Sequence, residues 1–428
     1  MSKIMRHQSR TPRIFYGWYV LAASFVILFL NAGGRMIIGV MVKPMAAEFG
    51  WSRSAISSAI FLNMAVYAVS IIITGRLYDR YGPKWVIVGS SLLFSAGYAL
   101  MATMDSLGQF LLYFGVISGA GLGGTTVSIF GSIMGRWFER RRGMAVSLAF
   151  AGNCLGQFFL VPIFSDQIIT SGWRSTSVWI AGLCVVANLA LAFGVIRGDP
   201  RSFGLQAYGA RDRQQQAPET YSRPGSLPIS VSRRDLTLSE AMRTRSLWLF
   251  AIAMFVCGGA DHLISTHLVP MVTDYGISTA VAADMLAWLG LLSLAGVLLA
   301  GPAADAIGNK IPIAITFAFR VVLFGMLLTF KGAVPFWIFS LGFGFTLLVT
   351  APLTPTLVGA LYGVTHIGFI SGFIVTAHMV GSGLWAYLGG LVFDKTGDYD
   401  LAFVVSAILA AVALACTLFI RDERHHPD

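Results

Sequence analysis

The sequence predicts an all-α membrane protein, with twelve transmembrane helices in two pseudo-symmetric six-helix bundles. Three observations predict it. First, of 428 residues 56% are hydrophobic and only 12% charged, where a soluble domain carries about 25% charged residues. Second, the apolar residues gather into stretches of the roughly 20 residues needed to cross about 30 Å of hydrocarbon. Third, one short motif occurs twice, beginning at Gly75 and again at Gly301.

Taken in order, the stretches lie near 16–42, 54–77, 85–104, 108–135, 143–166 and 174–197, then near 246–272, 281–304, 311–330, 335–361, 366–393 and 400–420. They divide the chain into a basic N-terminus (1–15), a first bundle (16–197), a polar linker (198–245), a second bundle (246–421) and a tail (422–428). The N-terminus is polar for too long to be an ordinary signal peptide, so the first span is expected to be retained. Within the linker, RDRQQQAPETYSRPGS is too polar to bury a face, whereas LTLSEAMRTRSLW has the pattern of an amphipathic interfacial helix. Cys154, Cys184, Cys257 and Cys416 all fall inside spans, without the spacing of a metal site. No metal and no cofactor is expected.

The net charge of +10 invites a nucleic-acid reading, but its placement excludes one. Twenty-three of the 30 Lys and Arg fall on the side of the termini and the linker, against five on the other side. That asymmetry is the positive-inside rule. It predicts a multi-pass protein of the cell (inner) membrane with both termini in the cytoplasm and the lipid bilayer as partner.

The repeated motif reads G-x-x-x-D-x-x-G-x-K. Its first copy comprises Gly75, Asp79, Arg80, Gly82 and Lys84, and its second Gly301, Asp305, Gly308 and Lys310. Each copy follows the second span of its half. A glycine there lets helices approach, an aspartate pairs or caps at a helix end, and a second glycine turns the chain before a basic residue. This doubled loop resembles the signature of the major facilitator superfamily. Three further stretches resemble its monocarboxylate transporter and oxalate/formate antiporter branch. They are Val42–Arg53 (VKPMAAEFGWSR), Trp137–Gly152 (WFERRRGMAVSLAFAG) and Gly389–Asp400 (GGLVFDKTGDYD). The resemblance implies alternating access by rocking of the two bundles around a midplane site, with the motif acting in gating.

Ionisable residues within spans are costly and usually face a cavity or a partner. Arg35 stands in the first span, Asp261, His262 and His267 in the seventh, Arg320 in the ninth and His378 in the eleventh. With neutral histidines this set carries an excess positive charge, which favours an anionic substrate because the anion offsets the cost of a buried cation. A carboxylate also matches the arginine fork. The candidate substrate contacts are therefore Arg35, His262, Arg320 and His378. To these are added two polar pairs at helical i, i+4 spacing, Asn63/Tyr67 and Asn153/Gln157. Asp261 and His262 are the candidates for proton coupling. For each a structural reading stands beside the functional one: Arg35 can snorkel to the interface, Asp261 can pair with Arg320, and polar pairs can serve helix packing. His267, near the outer end, is expected at the interface.

The sequence departs from the branch at Val297, where the branch commonly carries an arginine four residues before the motif glycine, so Arg35 or Arg320 has to supply the cation. Gly115, Gly119 and Gly123 form a packing stripe, not a dinucleotide fingerprint, since no strand precedes them. Gly143, Gly152 and Gly156 have the spacing of a drug-exporter motif, but Gln157 stands where that motif has proline. Pro352 and Pro355 are expected to interrupt the tenth span. The expected function is proton-coupled secondary transport of a small organic anion, a mono- or dicarboxylate. The alternatives are export of amphipathic compounds or a transporter-like sensor. No nucleophile–base set or metal cluster supports an enzyme.

Overall fold

The computed structural model of the chain describes residues 15–139, 141–200, 205–209, 236–363 and 366–421. The expectations for 1–14, for 201–204 and 210–235 of the linker and for the tail 422–428 lie outside the described residues. So do the side chains of Asp79 and Asp305. The first helices are α1 (Gly17–Phe49), α2 (Arg53–Tyr81), α3 (Pro83–Met101) and α4 (Leu107–Trp137). Helical backbone then runs across Arg142–Gly194, but Gly172 (φ 81°, ψ 159°) breaks it into α5 (142–171) and α6 (173–194). The second half holds α7 (Arg245–Asp274), α8 (Thr279–Ile307), α9 (Lys310–Thr329), α10 (Ala333–Tyr362), α11 (Ile367–Thr396) and α12 (Asp400–Phe419). All twelve expected spans are present.

Local chemistry sets the ends. Ser52 caps α2 by accepting from the Ala55 amide at 3.2 Å, and Ser278 caps α8 in the same way through Val281 at 3.4 Å. At the far ends of these helices Gly82 (φ 78°, ψ 169°) and Gly308 (φ 81°, ψ 159°) turn the chain, a conformation that side chains resist. The repeated motif therefore has matching backbone in both halves. The first helix outruns its apolar stretch, continuing through Lys43 and Pro44 to Phe49 and stopping at Gly50 (φ 68°). Hydropathy ended it early because 43–49 are more polar. The tenth span is interrupted at Leu348 (φ −114°, ψ 6°), one turn before Pro352, whose missing N–H leaves that carbonyl without its helical donor. The amphipathic segment of the linker is only the short helix Leu238–Ala241, closed by a Thr237/Glu240 capping box; Thr244 then starts α7.

Within each bundle, glycines bring two helices to backbone contact. A Cβ on Gly156 would lie 2.0 Å from the Phe29 carbonyl oxygen, pinning α5 to α1. A Cβ on Gly258 would lie 2.0 Å from the His378 carbonyl oxygen, pinning α7 to α11 in the equivalent place. Between bundles, the contacts the structure shows cluster in one half of the molecule, from the centre toward the α1–α2 turn. There Gly39 of α1 meets the Ser265 carbonyl of α7, Gly383 of α11 meets Phe61 and Met64 of α2, and Gly290 of α8 meets Gln157 of α5. At the opposite end, Gly75, Gly301, Gly368 and Gly372 face open space, and Phe369 is 71% exposed. The helix approach expected of Gly75 and Gly301 is not made in this conformation. The space between the bundles is closed at the α1–α2 end and open at the motif end.

Candidate functional site

Arg35 reaches the centre of this closure from α1. Its Nη2 lies 3.2 Å from His262 Nε2 of α7 and 3.7 Å from Met64 Sδ, and its guanidinium carbon lies 5.2 Å from the Tyr67 ring centre, a cation–π distance. Because a guanidinium only donates, His262 Nε2 accepts. No carboxylate pairs with Arg35 among the described residues, and its buried Nε has no hydrogen-bond partner. Arg35, Asn63, Met64, Tyr98, His262 and Thr266 are among the residues lining a cavity with about 420 Å³ of atom-free space including its mouth. Asn63 is buried there, and its amide donates to the Phe114 carbonyl at 2.7 Å, leaving its oxygen for other partners.

Asp261 precedes His262 by one residue, so its side chain points about 100° away around the helix, into the second bundle. Its Oδ1 is 2.8 Å from Arg320 Nη2 and its Oδ2 is 3.3 Å from His378 Nε2. Arg320 is fully enclosed. Besides Asp261 it donates to Thr346 Oγ1 at 3.2 Å and the Thr346 carbonyl at 3.1 Å, and it packs over the Phe343 ring. The two in-span arginines thus have different surroundings: Arg320 is neutralised inside the second bundle, and Arg35 stands unneutralised between the bundles. The structure brings Arg35, Asn63, Tyr67 and His262 together. It places Arg320, Asp261 and His378 in a neighbouring cluster, with His378 side-chain exposure of 16%. Gln157 is elsewhere: its amide donates to the Leu286 carbonyl at 2.8 Å, bridging α5 to α8. Asn153 lies one turn before it.

Cys257 joins the Asp261 cluster, its Sγ 3.8 Å from Asp261 Oδ2. Donor atoms of Cys257, Asp261 and His378 all lie within 4.8 Å of one another, a grouping invisible in sequence because His378 is on another helix. The adjacent Arg320 guanidinium already balances the one carboxylate there, so a divalent metal ion, which brings two further charges, is disfavoured.

A further network closes the α1–α2 end, and sequence reasoning did not assign it. Arg53 pairs with Asp274 of α7 at 2.8 Å and donates to the Tyr399 hydroxyl at 2.7 Å. Its guanidinium carbon sits 3.5 Å from the Phe393 ring centre. Asp394 accepts the amides of Arg53 and Ser54 at 3.0 and 2.8 Å, and Lys43 pairs with Asp274 at 2.7 Å. His267, expected at the interface, is instead buried, with Ala386 O at 2.8 Å and the Tyr399 hydroxyl at 3.0 Å. A signal was available: Lys43 and Arg53 lie in one branch-like stretch, and Asp394 and Tyr399 in another. The two stretches meet here.

The Major Facilitator Superfamily model matches residues 24–270 and 250–428. The chain is 26% identical over 411 residues to monocarboxylate transporter 11 of Homo sapiens, covering 92% of this chain and 80% of that protein. It is 22% identical over 419 residues to the oxalate:formate antiporter of Oxalobacter formigenes, covering 96% and 93%. The D-xylose-proton symporter structure superposes with a TM-score of 0.73 at 14% identity, covering 96% of this chain and 98% of that one, a likeness of fold. With twelve spanning helices among the described residues, a doubled motif and an open central space, the chain is a multi-pass membrane transporter, not an enzyme, and it belongs to the Major Facilitator Superfamily.

Proposed function

We propose that the protein is a secondary active transporter of a small organic anion, a mono- or dicarboxylate, driven by coupled proton movement. The observation that carries this reading is Arg35: a cation at the meeting of the two bundles, lining a cavity, with no carboxylate partner among the described residues. An unpaired, partly buried cation is costly, and a carboxylate of the substrate offsets that cost with matched geometry. The names of the relatives, a monocarboxylate transporter and an oxalate:formate antiporter, agree with this substrate class. Asn63 and Tyr67 complete the anion's surroundings, and Asp261 is the carboxylate available for coupling. The lysine and arginine asymmetry supports cytoplasmic termini in the cell membrane, which makes the observed conformation open to the cytoplasm.

The test is a thermal-shift screen of the purified full-length protein against carboxylates, sulfonates and neutral analogues. A ligand present at 100 times its Kd raises stability by about 2.7 kcal/mol. Carboxylates should stabilise the wild type and not Arg35→Ala. Stabilisation by neutral analogues alone, undiminished in Arg35→Ala, would refute the reading.

A further inference from the structure

We infer that His378, not the sequence-adjacent His262, is the group that carries the coupling proton beside Asp261. This rests on the anion reading above and assigns a role within it.

His262 is engaged elsewhere, since its Nε2 faces the guanidinium of Arg35 at 3.2 Å. A proton added to that nitrogen would set two cations against each other. His378 has the opposite surroundings. Its Nε2 faces Asp261 Oδ2 at 3.3 Å, and its Nδ1 faces Ser382 Oγ at 3.5 Å. The Ser382 hydroxyl donates its own proton to the His378 carbonyl at 2.8 Å, so toward the ring it offers a lone pair. Both ring nitrogens therefore face acceptors, the arrangement that suits the doubly protonated imidazolium.

The charged and titratable groups around the ring support the same assignment. From α7 come Asp261 and the Cys257 thiol, and from α9 comes Arg320, held to the other oxygen of Asp261 at 2.8 Å. From α10 comes the hydroxyl of Thr350, 3.6 Å from Cys257 Sγ. From α2, the residues packed at Gly383 on the next turn of α11 are the uncharged Phe61 and Met64. His262 lies within electrostatic reach of both Arg35 and His378, so the proton site and the anion site are neighbours. Arg320 and Asp261 cancel, leaving a neutral pair. Protonation of His378 makes that cluster +1 and adds attraction for an anion at Arg35; loss of the proton removes it. One proton bound at the imidazole with one monoanion at Arg35 makes the loaded carrier neutral overall relative to the empty one.

The experiment uses the full-length protein in proteoliposomes with a carboxylate identified by the thermal-shift screen. Two quantities are measured: anion exchange at equal pH on both sides, and accumulation driven by an imposed proton gradient. We expect His378→Gln to keep exchange and lose gradient-driven accumulation, whereas His262→Gln, which alters the surroundings of Arg35, should change exchange and accumulation in the same proportion. We expect Ser382→Ala, which removes one acceptor from the imidazolium, to shift the pH profile of accumulation toward lower pH. Should His378→Gln lose both activities, Ser382→Ala decides: a shifted profile supports the assignment and an unshifted one overturns it. Accumulation by His378→Gln with the wild-type pH profile also overturns it. A wild type that exchanges no carboxylate overturns the anion reading itself.

Discussion

Asp261 and Arg320 form an ion pair at 2.8 Å whose side chains are 8% and 1% exposed, joining α7 to α9 inside the second bundle. This pair disposes of one of the two cations that the membrane-embedded sequence carries, and so gives Arg35 its significance.

Removing one member of such a pair leaves an uncompensated buried charge, which costs about 3–5 kcal/mol. Arg320→Leu and Asp261→Asn should each lower the thermal unfolding midpoint of the purified protein strongly. The double variant should fall by less than the sum of the two, because the charge left behind by each single change is then gone. Additive losses would show that the two residues do not depend on each other.

Glycines at a packed helix crossing and at the open motif end should respond oppositely. Gly258→Val drives a side chain into the His378 carbonyl, which is backbone and cannot swing aside. Overpacking of this kind costs about 1–3 kcal/mol, and it also disturbs the seating of His378 against Asp261. Gly75→Ala and Gly301→Ala place a methyl in open space, where the gain in helix propensity is about 0.5–1 kcal/mol. Thermal unfolding of the three variants checks the contrast. Destabilisation by the Gly75 or Gly301 change would contradict an open motif end.

The Arg53 network should hold the α1–α2 end shut. A partly exposed pair contributes about 1 kcal/mol, roughly fivefold in an equilibrium. Ser57 Oγ faces His267 at 3.4 Å just beneath this network. A cysteine introduced at Ser57 should therefore react several-fold faster with a membrane-impermeant maleimide added outside when Arg53 is changed to Ala. An unchanged labelling rate would mean that Arg53 does not restrain that end.

The architecture was legible in the sequence because lipid imposes a length and an apolar composition that can be read directly. Where reading failed, polarity misled it: α1 continues through Lys43, Pro44 and Glu48 to Phe49 because a helix end is set by Gly50 and not by hydropathy. The site was half legible. Residues that are rare in membranes announced themselves, so Arg35, Asp261, Arg320 and His378 were all named. The pairing of Asp261 with Arg320 was among the readings, but the contacts of Arg35 with His262 and of Asp261 with His378 were not, because a step of one residue between Asp261 and His262 sends the side chains into different clusters, and Asp261 meets His378 across 117 positions of sequence. The Arg53 network was hidden for another reason. Its members lie at helix ends, where charges are cheap and carry no alarm, although two of the recognised stretches contained most of them.

Equilibrium binding of a radiolabelled carboxylate to the purified protein measures whether Arg35 holds the carboxylate of the substrate. Arg35→Gln should abolish binding, while Arg35→Lys, which keeps the charge but loses the fork, should bind more weakly than wild type. Binding to Arg35→Gln with wild-type affinity would contradict the account.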